Sequence, residues 1–162
     1  DTIREVKASI SIPVVANGDI DSPQKARAVL DYTGADAVMI GRAAQGRPWI
    51  FREIDHFLRT GQTLEAPSWS EMRDLLLHHL ADHYQFYGEG VGVKTARKHI
   101  GWYVSGLPGG KLFADHINRL ETTTEQFAAV DQWFLAQAAA GADSGATTCD
   151  NHGLSSPYLH AA

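Results

Sequence analysis

Apolar positions change their period near residue 60, and that change divides the chain. Upstream, two short runs are apolar at nearly every position. Ser11-Ile12-Pro13-Val14-Val15-Ala16 ends at Asn17-Gly18-Asp19, and Ala37-Val38-Met39-Ile40 ends at Gly41-Arg42. Short apolar runs bounded by turn residues read as strands, and runs without alternation are expected to be covered on both faces. Gly18 is expected to take the left-handed backbone at the first loop. Between the runs, Ser22-Pro23 offers an N-cap and a first-turn proline. Ala26, Val29 and Leu30 mark one helical face, and Gly34 is a stop. Strand, helix and strand within about thirty residues predict a βαβ unit with parallel strands.

Downstream the strand signals vanish. Ile50, Ile54 and Leu58 space a helix over 48–58, which Thr60-Gly61 stops, and 64–67 reads as a linker. Ser68 and Glu71 form a capping-box pattern. Met72, Leu75, Leu76, His79, Leu80, His83 and Tyr84 then carry a helical stripe to about Tyr87, where Gly88, Gly90 and Gly92 are expected to break it. Val93, Ala96, Ile100, Tyr103 and Val104 mark a further helix. A shorter one holds Leu112, Phe113, Ile117 and Leu120, and a last begins near Thr124 with Phe127, Val130 and Phe134 inward. The expected organisation is an α/β portion over 1–60, an all-helical portion over 61–137 and a tail over 138–162. That tail holds no Lys, Arg or Glu and few large apolar residues, so it reads as disordered, with Cys149 a free thiol without a role.

Composition narrows the classes. Hydrophobic residues reach 44%, enough for a core, yet no apolar run is long enough for a transmembrane helix. The start, Asp1-Thr2-Ile3-Arg4-Glu5, lacks the pattern of a secretory signal. A single cysteine excludes a disulfide framework and a multi-cysteine zinc site, so a cytoplasmic setting is expected. The formal net charge of −5 argues against indiscriminate nucleic-acid coating. Charge distribution says more than the total: three of the six Lys/Arg in 61–137 lie within Lys94-Thr95-Ala96-Arg97-Lys98-His99. One concentrated basic patch on an acidic chain suits a local anionic partner.

Three groups of residues bear on chemistry. Glycine loops after consecutive parallel strands let a phosphate approach backbone N–H groups, and Arg42 adds a charge-assisted contact. The same glycines serve equally well in plain tight turns. On the basic helix, Lys94 and Lys98 lie one turn apart with Arg97 beside them, which suits RNA phosphates and also an ordinary solvated face. His79 and His83 have metal-ligand spacing, but no third ligand is evident nearby and their stripe is apolar. Core or boundary histidines are therefore expected, and no metal site. Arg47-Pro48-Trp49 is expected to fix the junction between the two portions.

The blocks 12–20 and 34–51, the latter containing Gly41-Arg42-Ala43-Ala44-Gln45-Gly46-Arg47-Pro48-Trp49, closely resemble the end of the flavin barrel in tRNA-dihydrouridine synthases, particularly the bacterial B type. Lys94-Thr95-Ala96-Arg97-Lys98-His99-Ile100-Gly101-Trp102-Tyr103 resembles that family's helical-domain motif. The resemblance covers about residues 3–135. It implies the last two strands of a (β/α)8 TIM barrel followed by a helical-bundle RNA-binding domain. It also implies FMN as cofactor, NADPH as reductant and tRNA as substrate, in a monomer away from membranes. By position, Asn17, Gly18, Asp19, Gly41 and Arg42 match the family's FMN contacts, and Lys94, Arg97, Lys98 and His99 become RNA-binding candidates. The family's general-acid cysteine lies in earlier barrel loops, so no catalytic residue is assigned here, and this portion alone is expected to be inactive. Two other readings stay open. One is a barrel oxidoreductase acting on a small molecule, which gives the basic helical portion no purpose. The other is a non-catalytic RNA-binding module.

Overall fold

The computed structural model describes residues 2–143 of the chain. Residues 144–162, including Cys149, lie outside the described residues. The elements are α1 (Thr2–Ser9), β1 (Val15–Asn17), α2 (Pro23–Thr33), β2 (Ala37–Met39), a 3-10 turn (Arg42–Ala44), α3 (Ile50–Thr60), α4 (Trp69–Val104), α5 (Gly110–Ile117) and α6 (Thr123–Asp143).

The βαβ expectation holds. β1 and β2 pair in parallel, with Val15 opposite Ala37, Ala16 opposite Val38 and Asn17 opposite Met39. Ser22 caps α2 by accepting from the Lys25 N–H, Pro23 opens its first turn, and Gly34 ends it at φ 67°. Ile20, Ala26, Ile50 and Ile54 form one buried cluster, with Val29, Val38, Ile40 and Leu58 against it. That cluster covers only one face of the sheet. Val15 and Met39 remain 52% and 54% exposed, against the expected cover on both sides. Successive side chains of a strand point to opposite faces, and the described helices pack only where Ala16 and Val38 point.

α4 carries the larger cluster. Its capping box is complete: Glu71 N–H donates to Ser68 Oγ, and the Ser68 N–H donates to Glu71 Oε2 at 2.8 Å. At Gly88 (φ 70°, ψ 175°) the helix breaks and folds back. The two halves then pair antiparallel, Tyr84 against Gly92 and His83 against Thr95. Of the three glycines expected to break the helix, only Gly88 does so; Gly90 and Gly92 lie inside the returning half. The reason at Gly92 is close packing, since a Cβ there would stand 3.0 Å from Tyr84 Cδ1. Leu76, Leu80, Ala96 and Ile100 from the hairpin join Phe113 and Ile117 of α5 and Val130 and Phe134 of α6. Fully buried Gln126 ties α6 to both halves, accepting from the Tyr84 hydroxyl at 2.6 Å and donating to the Val93 carbonyl at 3.2 Å.

One boundary and one core assignment differ from expectation. α6 runs on to Asp143, so 138–143 is helical rather than tail; its run of alanines has high helix propensity and needs little burial. Leu112 is 77% exposed and lies outside the core. Among the described residues, no helix is long and apolar enough to cross a membrane.

Candidate functional site

The carboxyl ends of β1 and β2 lie side by side, which brings Asn17-Gly18-Asp19 next to Gly41-Arg42. Ligands of parallel α/β sheets bind at that end of the strands. Arg42 Nη2 bridges to Asp19 Oδ1 at 2.5 Å, joining the two loops across their mouth. Both side chains are 73% exposed, so the pair orients the loops more than it stabilises them. The left-handed residue in the first loop is Asp19 (φ 45°), not Gly18. An aspartate tolerates that conformation better than most side chains. Nothing lies within 4 Å of a Cβ built at Gly18 or Gly41, so the space over both backbones is open. A shallow groove runs from Asn17 and Gly18 past Thr2, Ile3 and Tyr32.

The basic window lies on the returning half of α4. Lys94 and Lys98 are exposed, and the Lys98 ammonium stands 5.3 Å from the centre of the Trp102 ring. Arg97 differs from the expectation of three free charges. It is half-buried, and its Nη2 donates to the Leu120 carbonyl at 3.0 Å. The guanidinium bonds the turn between α5 and α6, which leaves two lysines as the exposed cations of this window.

His99, expected beside the lysines as an RNA ligand, turns toward His79 and His83 instead. Its ring centre lies 4.9 Å from that of His79 and 5.2 Å from that of His83. Nitrogens of the three rings lie within 4.8 Å of one another. The third imidazole was invisible in the spacing because it arrives twenty residues downstream of His79, across the Gly88 fold-back. Burial, and after it the charge on His79, holds His83 below the usual imidazole range. Burial likewise brings His99 down to about 4, helped by His79, Lys98 and His83.

Gly46 joins the two portions. It has φ 72°, and a Cβ there would stand 2.2 Å from the Trp102 carbonyl oxygen and 2.7 Å from the Tyr103 nitrogen. Next to it, Trp49 packs edge-on to Tyr103, with ring centres 6.1 Å apart. Arg47 reaches back to Glu53 at 2.6 Å and to the Asp21 carbonyl at 3.3 Å. The expected structural role of Arg47-Pro48-Trp49 is thus visible, and Gly46 is the contact that spacing did not reveal.

The sequence model of the dihydrouridine synthase (Dus) family matches residues 1–139. The chain belongs to the dihydrouridine synthase family. Over 134 residues it is 58% identical to a tRNA-dihydrouridine synthase B of Pseudomonas aeruginosa, an alignment covering 83% of this chain and 40% of the relative. The synthase B of Pseudomonas syringae pv. tomato is 59% identical over the same length, with the same coverage. That of Vibrio cholerae is 53% identical, covering 83% of this chain and 42% of the relative. The chain therefore spans about two-fifths of the length of these synthases. The matched stretch includes both strand-end loops, the Gly46 junction and the basic half of α4.

Proposed function

We propose that this chain is the C-terminal portion of an FMN-dependent tRNA-dihydrouridine synthase of the B type, which reduces uridine in tRNA to 5,6-dihydrouridine with NADPH as reductant. In this reading, residues 1–60 close the cofactor barrel and 61–137 form the tRNA-binding helical domain. The observation that carries it is the open pair of glycine backbones, Gly18 and Gly41, side by side at the strand ends. A Cβ at either position would occupy the space through which a phosphate reaches backbone N–H groups, so the residues present fit the phosphate end of FMN. Asn17 and Asp19 would frame that loop, and Arg42, within reach of Asp19, would add a charged contact. Bound FMN supplies the hydride for the uracil ring. Lys94 and Lys98 would hold the RNA backbone by its phosphates. The uncovered sheet face at Val15 and Met39 agrees with further barrel strands packing there. The 162 residues alone are accordingly expected neither to retain FMN nor to reduce tRNA.

The test is a chimera in which residues 1–139 replace the matching portion of the Pseudomonas aeruginosa synthase. It is expected to purify with FMN and to restore dihydrouridine to tRNA from a strain lacking the enzyme. Gly18→Val or Gly41→Val in the chimera should lower flavin occupancy. Lys94→Ala with Lys98→Ala should leave occupancy alone, weaken tRNA binding and flatten its salt dependence by roughly one unit or less per contact. A folded chimera that carries flavin but leaves tRNA unmodified would overturn the reading.

A further inference from the structure

We propose that His79, His83 and His99 form a three-imidazole site for a late first-row divalent cation of the Zn2+ class, built across the α4 hairpin. His79 and His83 stand one turn apart on the outgoing half of α4, and His99 meets them from the returning half. One nitrogen from each ring falls within a 4.8 Å sphere of separations. Nitrogens bound to Zn2+ at about 2.0–2.1 Å stand roughly 3.4 Å apart in a tetrahedral set, so the rings need only close in by rotation. His79 and His99 are partly exposed, while His83 is buried and held at Nε2 by Thr95.

What fixes His83 also prepares it. The Thr95 hydroxyl donates its single proton to the Val91 carbonyl at 2.8 Å. With the proton on that carbonyl, the oxygen accepts from His83 Nε2, 2.7 Å away. That assigns the proton to Nε2 and leaves Nδ1 with a bare lone pair. A metal-binding histidine typically donates its other N–H to an oriented acceptor, which sets the tautomer and raises ligand basicity.

Ligand chemistry selects the class of ion. Three neutral imidazoles with no carboxylate in the cluster suit Zn2+, Ni2+ or Cu2+ and not Mg2+ or Ca2+, which require oxygen. Three protein ligands leave a fourth position open to water or an anion. The cation would pin the two halves of α4 beyond the Gly88 fold-back, so its binding must stabilise the folded chain.

The test titrates the full chain, stripped with EDTA, with Zn2+ by calorimetry and with Co2+ by visible absorption. The expected result is one equivalent bound at micromolar or tighter affinity, a tetrahedral cobalt spectrum and a raised Tm. His79→Gln and His99→Gln each should weaken Zn2+ binding by roughly 100-fold or more. Thr95→Val, which deletes the acceptor for His83 together with the hydroxyl's bond to the Val91 carbonyl, should weaken it by about 10–100-fold. His116→Gln, on α5, should bind as the parent does. Nitrogen NMR of the unmodified chain needs no variant to fold: Zn2+ should shift ring signals of His79, His83 and His99 and leave His116 in place. Affinity unchanged in His79→Gln and His99→Gln, or Zn2+ shifts absent from those three rings, would overturn the proposal.

Discussion

A glycine has consequence where its missing Cβ leaves room for something else, and one glycine from each of the two motif blocks shows an opposite case. At Gly46 the room is taken by the backbone of Trp102 and Tyr103, and φ is 72°. Gly46→Ala adds a clash to a left-handed strain, and the two together should cost about 2–4 kcal/mol. Urea unfolding should show this as a lower midpoint with an unchanged slope. At Gly18 nothing stands within 4 Å, so Gly18→Ala should leave the stability within about 0.5 kcal/mol of the parent. If the two variants unfold alike, the Gly46 contact is not as described. Arg97 makes a similar point about charge. A sequence shows where a guanidinium sits along a helix but not that the turn after α5 lies beneath it, so one of three apparent phosphate ligands proves to be bonded to a carbonyl.

The element that best separates local from distant information is α4. Within it, Gly88 (φ 70°, ψ 175°) occupies a backbone region essentially reserved for glycine, while Gly90 is helical with open space at its Cβ. Gly88→Ala should therefore destabilise by roughly 1–3 kcal/mol, and Gly90→Ala should stabilise by up to about 1 kcal/mol. Opposite shifts in Tm for substitutions two residues apart would verify the fold-back point; shifts of the same sign would move it. Elements were legible wherever local chemistry dictates them: the Ser22 and Ser68 caps, the Gly34 and Gly61 stops, and the helical stripes of α3 and α4. The strand-end loops were legible for the same reason, since glycine after an apolar run is a local signal. Illegible were the features made by residues far apart in sequence. Gln126, between two apolar helices, looks like a surface residue until Tyr84 and the Val93 carbonyl are seen to meet it. His99 looked like one more polar residue of a basic window until the hairpin carried it to His79 and His83. An unbroken apolar run marks a strand covered on both faces but does not reveal which of the covering layers lie within residues 2–143, where Val15 and Met39 stay exposed.

At the scale of the whole molecule, the histidine cluster makes stability depend on pH. His99 ionises in the folded chain at about 4, whereas an unfolded imidazole does so near 6.5. Between those values the unfolded chain binds the extra proton, so stability rises with pH across the window and is lost as pH falls through it. His83, shifted the same way, adds to the trend, and His79 and Lys98 are the neighbours that reinforce both shifts. In EDTA, the urea midpoint of the parent should fall from pH 6.5 toward pH 4.5 and stay flat above it. His99→Gln should lessen that fall. The lowered carboxylates Asp36, Glu71 and Glu125 act in the same direction only at more acid pH, nearer their ordinary range. An equally steep decline in His99→Gln would assign the effect to another group.

The contact at Gly46 also limits how the two portions can move. The loop that leaves β2 at Gly41 meets the backbone of Trp102 five residues later, and Trp102 lies one turn beyond Lys98. With backbone seated on backbone and Trp49 wedged beside Tyr103, this stretch behaves as a strut and not as a hinge. Any tilt of the lysine-bearing helix must then drag the Arg42 loop with it, so a load applied at one end is felt at the other through a lever only a few residues long.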